Sequence, residues 1–143
     1  MAEQTEDAIE IEAEPADVLE VIADFESYPE WSDVESTEVL ERDGGGRGTA
    51  VAYRISMMGL TAAYTLEYTY TDDGVTWTTR EADGAVKDIE GAYVLEGTEA
   101  GTRVTYRLSV ELAVAVPGML KRRGEKKVVK TALEGLKRRV EEG

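Results

Sequence analysis

Tyr53, Tyr64, Tyr68, Trp77, Tyr93 and Tyr106 all fall in segments where apolar and polar residues alternate, and all fall on the apolar phase. An aromatic ring on a buried face packs well, but its hydroxyl or indole N–H still requires a hydrogen-bond partner. Several such groups converging on one space suit an amphipathic ligand, with rings for contact and hydroxyls for orientation, or else simply fill a core with their polar tips at its edge. Other chemistry is excluded by composition. The 143 residues include no cysteine and no histidine, so there is no disulfide, no thiol nucleophile, no Ser-His-Asp triad and no Cys/His zinc site. Acid–base work near neutral pH would fall to Asp, Glu, Lys or Tyr with displaced pKa values. Two charged residues stand close to the aromatic set. Arg54 lies between Tyr53 and Ile55, so alternation points it away from them unless the strand bulges. Glu81 shares the phase of Trp77 and Thr79, which places it at a pocket rim or at a solvated strand end.

The elements that must position these residues follow from periodicity. Residues 1–6 read as a frayed tail, and Ala8–Ala13 as a strand with one buried face. Pro15 suits the first turn of a helix, and Val18, Val21, Ile22 and Phe25 give that helix one apolar side. Pro29 ends it and leads into a second short helix or turn through Trp31. Strands are then expected at Val34–Glu41, Thr49–Met57, Leu60–Thr71, Val75–Glu81, Val86–Glu96 and Thr102–Ala113, separated by Gly- and Asp-rich turns such as Asp72-Asp73-Gly74. Short turns between successive strands make an antiparallel meander. After Pro117-Gly118 the period becomes helical, with Val129, Leu133, Leu136 and Val140 on one stripe.

Charge divides the chain. Residues 1–40 hold fourteen acids and no base, while residues 117–140 hold nine bases and two acids, within a total of −14. The acidic total argues against nucleic acid as a partner. The basic helix is a solvated face that complements acidic neighbours, or a surface for peripheral contact with anionic lipid or an acidic partner. The longest apolar run, Leu112–Leu120, is interrupted by Pro117 and Gly118 and is too short to span a bilayer. With no signal-peptide pattern at the amino terminus, a cytoplasmic location is expected. Length fits one domain over residues 1–143, and a monomer or weak dimer is expected, though length does not decide it.

Seven antiparallel strands with one apolar face need a cover, and one long helix about 10–12 Å across is too narrow for a flat sheet. The sheet must curl around the helix. The expected class is therefore α+β: a curved antiparallel sheet of about seven strands wrapped around a long C-terminal helix, with two short helices after the first strand. Curling leaves room for an apolar cavity. Its expected lining is Val51, Tyr53, Ile55 and Met57 from one strand, Leu60, Tyr64, Leu66 and Tyr68 from the next, Trp77 and Thr79 beyond, then Tyr93, Tyr106 and Leu108. Trp31 joins from the short helix, and Leu133 and Leu136 from the long one.

Three stretches carry a family resemblance. Glu14-Pro15-Ala16-Asp17-Val18 through Asp24-Phe25-Glu26-Ser27-Tyr28-Pro29-Glu30-Trp31 is similar to a proline-led helix ending in a D-x-x-x-Y-P-x-W segment. Gly91-Ala92-Tyr93-Val94-Leu95 and Gly101-Thr102-Arg103-Val104-Thr105-Tyr106 are similar to G-x-W-x-L and G-T-x-V-x-Y strands, with Tyr93 where Trp is commoner. The ending, Lys126 to Val140, is similar to small actinobacterial members. Over residues 7–140 the chain resembles the START-like or SRPBCC superfamily of polyketide cyclases/dehydrases and lipid transport proteins. The resemblance implies a helix-grip fold and binding or carriage of a lipid, polyketide or isoprenoid-like molecule, with no cofactor and no metal. It also implies two alternatives: a polyketide aromatase/cyclase or dehydrase, and a membrane- or partner-docking module similar to coenzyme Q-binding proteins. The absence of histidine favours binding over catalysis.

Overall fold

The alternating segments do form one sheet. The computed structural model describes residues 4–32, 34–57 and 59–142, with Met57 described by its backbone only. Seven strands run β1 (Gln4–Ile11), β2 (Ser36–Arg42), β3 (Gly48–Met57), β4 (Leu60–Thr71), β5 (Gly74–Gly84), β6 (Val86–Thr98) and β7 (Gly101–Leu112). Their spatial order is β1-β7-β6-β5-β4-β3-β2, every neighbouring pair antiparallel. Between β1 and β2 lie α1 (Pro15–Ala23), a single 3-10 turn at Phe25–Ser27, and α2 (Tyr28–Trp31). The long α3 spans Gly118–Glu142.

The tail expected over residues 1–6 requires correction at residues 4–6, residues 1–3 lying outside the described residues. Strand β1 begins at Gln4, and Gln4 already faces Ser109 in the β1–β7 ladder. The reason is tertiary: β7 offers an unpaired edge that extends the strand beyond its alternating core. Arg107 also holds Glu6 at 2.6 Å on the exposed side.

Curvature comes from interrupted registers. The β4–β5 ladder steps between Thr65 and Leu66, leaving Arg80 as the extra residue on β5. Such a bulge bends the strand and resets its alternation. The β5–β6 ladder runs only from Gly74–Val94 to Trp77–Gly91. Past that point the Thr79 hydroxyl donates to the Ile89 carbonyl at 2.9 Å and accepts from the Ile89 N–H at 2.7 Å, taking over from the missing backbone pairs. At the Trp77–Gly91 step, a Cβ on Gly91 would stand 2.5 Å from the indole ring and 2.6 Å from the Arg107 carbonyl oxygen. Only glycine lets Trp77 lie across this position.

The best-packed region gathers Ile11, Val18, Ile22, Phe25, Val104, Val129 and Leu136 where α1 and the second half of α3 cover the β1–β7 side of the sheet. Gly135 is essential to that approach, since a Cβ there would stand 2.2 Å from the Trp31 carbonyl oxygen.

Candidate functional site: a tyrosine-lined cavity under the first half of the long helix

Between the curved sheet and the first half of α3 the structure leaves a cavity of about 690 Å³. That is within the range of small-molecule sites, roughly 300–1,000 Å³. Of the residues expected to line it, Trp31, Tyr53, Ile55, Leu60, Tyr64, Leu66, Tyr68, Trp77, Tyr93, Tyr106 and Leu108 do so. Four do not. Val51 is wholly buried in the close-packed core, and Leu133 and Leu136 belong to the same core. The second half of α3 is pressed against α1 and α2, so its stripe has no open space to face. Thr79 is committed to Ile89 across the β5–β6 gap. Met57 lies outside the described side chains.

The two charged candidates are both exposed. The β3–β4 register is regular through Arg54, which stands opposite Ala63, so alternation turns the guanidinium outward. Glu81 is turned outward by the Arg80 bulge, which breaks its phase with Trp77 and Thr79. Arg80 itself holds Glu41 at 2.7 Å and Glu67 at 3.1 Å outside the cavity.

The aromatic side chains form a connected belt. From Trp31 it runs to Tyr28 at 4.9 Å between ring centres, then to Phe25 at 5.3 Å, Tyr68 at 4.5 Å and Trp77 at 5.7 Å. Trp77 reaches Tyr93 at 5.5 Å, and Tyr93 meets Tyr106 edge-on at 4.6 Å. Tyr53 stacks on Tyr64 at 5.3 Å. The hydroxyls divide into two groups. Tyr28 donates to the Ile22 carbonyl, and Tyr53 and Tyr68 bond each other. Tyr64, Tyr93 and Tyr106 line the cavity and have no hydrogen-bond partner among the described residues. Burial pushes all six of these hydroxyls above the ordinary tyrosine pKa, and neighbouring tyrosines reinforce the shift at Tyr28, Tyr53, Tyr64 and Tyr93. They are neutral donors across the physiological range.

Residues not expected in the cavity include Tyr28, Ala62, Ile89 and Val110, with Lys121, Arg123, Glu125, Lys127 and Val128 from α3. Glu125 matters most, as a carboxylate only 6% exposed. It accepts from the Val110 N–H at 3.1 Å and the Thr5 hydroxyl at 3.2 Å, and pairs with Lys121 at 3.4 Å. Val110 lies just beyond Ser109, which faces Gln4 in the β1–β7 ladder, so the carboxylate meets the sheet next to the first described pair of that ladder. A signal for it existed in the sequence. Glu125 sits four residues before Val129, on the extension of the apolar stripe. An acid at a stripe position is a buried acid. Among the described residues no group of three or more metal-ligating side chains gathers, and no helix is long and apolar enough to cross a membrane.

A curved seven-stranded antiparallel sheet gripping a long C-terminal helix over an aromatic cavity defines the START or helix-grip class, whose members are built around a hydrophobic ligand space. The chain belongs to the polyketide cyclase/dehydrase and lipid transport family, which matches residues 2–141. Among solved structures it is similar to a START superfamily protein from Mycobacterium smegmatis, at 19% identity over 97% of both chains with a TM-score of 0.88. It is also similar to a protein from Thermus thermophilus, at 26% identity over 98% of both chains and a TM-score of 0.80. A third is the Zhui aromatase/cyclase from a Streptomyces species, at 16% identity over 99% of this chain and 94% of that one, with a TM-score of 0.80. No curated protein sequence matches the chain.

Proposed function

We propose that this protein binds or carries a hydrophobic or amphipathic small molecule of lipid, polyketide or isoprenoid-like character in the cavity beneath α3. One observation carries the reading: three neutral, cavity-lining tyrosine hydroxyls without protein partners among the described residues sit in the mainly aromatic and aliphatic sheet wall, away from the charged groups that α3 brings to the rim. In a close-packed core such groups would be paired with protein. Here a ligand oxygen completes them while its apolar body fills the space along the aromatic belt. Native mass spectrometry of gently purified protein, with displacement of a fluorescent hydrophobic probe, is the test. A retained small-molecule mass or saturable displacement is expected. Apo masses together with failure of the probe to bind would remove the reading.

A second reading, a polyketide aromatase/cyclase or dehydrase, is favoured by Glu125 and Lys121, which put a carboxylate and an ammonium on the cavity wall. A proton transfer requires at least one such group within reach of the substrate. Both carboxylate oxygens already accept from protein donors, which suits a structural role and ranks this reading second. Turnover of a poly-β-keto substrate mimic that disappears in Glu125→Gln, while the variant still binds the probe, would promote it. No turnover in the parent protein would retire it.

A further inference from the structure

The family site does not account for a second surface. Residues 113–120, Ala-Val-Ala-Val-Pro-Gly-Met-Leu, contain no polar side chain, yet all but Val116 are exposed. Met119 is 75% exposed, Leu120 42% and Val114 41%, which with Leu40 are the exposed large hydrophobics among the described residues. This stretch joins β7 to α3 and runs directly into Lys121, Arg122 and Arg123. Between residues 113 and 131 there are six bases and one acid, a net +5, against −19 for the remainder. Most bases elsewhere are engaged: Arg42, Arg80, Lys87, Arg103, Arg107, Lys137 and Arg139 each pair with a carboxylate. On the first half of α3, by contrast, Arg123, Lys126, Lys127 and Lys130 are exposed without a carboxylate partner among the described residues.

We propose that this loop and the first half of α3 form a docking surface for an anionic lipid bilayer. The chemistry of the two parts decides the occupant. A row of bases alone would suit any polyanion, but it adjoins an exposed apolar loop that water disfavours and that the acyl–headgroup boundary accepts. An apolar wedge beside a polybasic helix is the combination that holds a peripheral protein on anionic lipid, where each base near the surface contributes about fivefold in affinity. The acidic remainder does not forbid contact. At physiological salt the screening length is about 8 Å, so distant acids are largely screened while the patch meets the headgroups, and their repulsion orients the molecule with this end toward the lipid. The surface is also the rim of the cavity: Lys121, Arg123 and Lys127 line it from α3. Docking would therefore set the cavity mouth against the bilayer, where an apolar ligand can pass without crossing water.

The test is flotation of the full chain with vesicles of phosphatidylcholine alone or with about 30% phosphatidylglycerol, at low and high salt, alongside an acidic polypeptide resin. Binding to the anionic vesicles only, weakened about tenfold or more by high salt, is expected. Leu120→Asp and Met119→Asp should each abolish flotation while leaving the melting temperature and probe binding unchanged, because both side chains are exposed. Lys126→Gln with Lys127→Gln should weaken it about 25-fold, at roughly fivefold per base. Absence of vesicle binding overturns the proposal, as does equal binding of the Leu120→Asp variant. Capture by the acidic resin without vesicle binding overturns it in favour of an acidic protein partner. Probe binding by a parent protein that does not float removes the docking surface without touching the cavity reading.

Discussion

The two halves of α3 carry the same kind of sequence, a thin apolar stripe among bases, and do opposite work. From Val129 to Leu136 the stripe is buried to within 2% at Val129, Leu133 and Leu136 and meets α1, α2 and β1. From Gly118 to Val128 the helix stands over open space, and its most buried side chain is the paired carboxylate of Glu125, with Val128 only partly buried. Geometry accounts for the difference. One helix spans only part of a seven-stranded sheet, and α1 and α2 fill the wedge on one side only. Stability therefore resides at one end of the helix and ligand space at the other.

The comparison breaks most readily at the packed end. Leu136→Ala should cost about 2–5 kcal/mol, because its neighbours cannot close the void, and urea denaturation would show it as a lowered midpoint with an unchanged slope. Gly135→Ala, forcing a methyl against the Trp31 carbonyl, should cost about 1–3 kcal/mol. If Val128→Ala proved as damaging as Leu136→Ala, the cavity would be filled and the contrast between the halves would fail. Less than about 1 kcal/mol is expected, since Val128 already borders empty volume. At the open end, Tyr64→Phe and Tyr106→Phe should leave the melting temperature unchanged and weaken ligand or probe binding about two- to tenfold, the worth of one hydrogen bond. Loss of stability instead would mean that those hydroxyls already have partners.

Near neutrality these tyrosines make stability indifferent to pH, and their effect emerges only in alkali. Burial raises the pKa of all seven tyrosines, including Tyr70 to about 12, where the nearby Arg47 partly opposes it. The native state therefore keeps protons that the unfolded chain loses near pH 10. Stability should be flat with respect to these groups below about pH 9 and fall as pH rises beyond about 10. Melting curves from about pH 8 to 11, followed with tyrosinate absorbance, check this. Tyrosinate appearing before unfolding would show that the rings are more open than the structure has them.

Most of the fold was legible from period-two alternation, because inward and outward residues of one strand differ in kind, and Leu60–Thr71 is the clearest case. What misled was local alternation carried too far. The phase of Glu81 held only until the Arg80 bulge, and a bulge depends on the neighbouring strand. As one continuous surface, the stripe on α3 would put Leu133 and Leu136 in the cavity, and the structure buries both in the core instead. Nothing within the helix tells which half α1 and α2 will cover.

By itself, then, the sequence determined that aromatic residues face inward, that no histidine or cysteine chemistry is available, and that the basic charge collects on the last helix. These depend on residue type and spacing, which are local. Tertiary structure alone decided where close packing stops and the cavity begins, that Glu125 meets the Val110 amide, and which tyrosine hydroxyls have no protein partner among the described residues. Those outcomes depend on distances between segments as much as 120 residues apart, as between Thr5 and Glu125, and strand curvature and helix placement set such distances only when the whole sheet closes on α3.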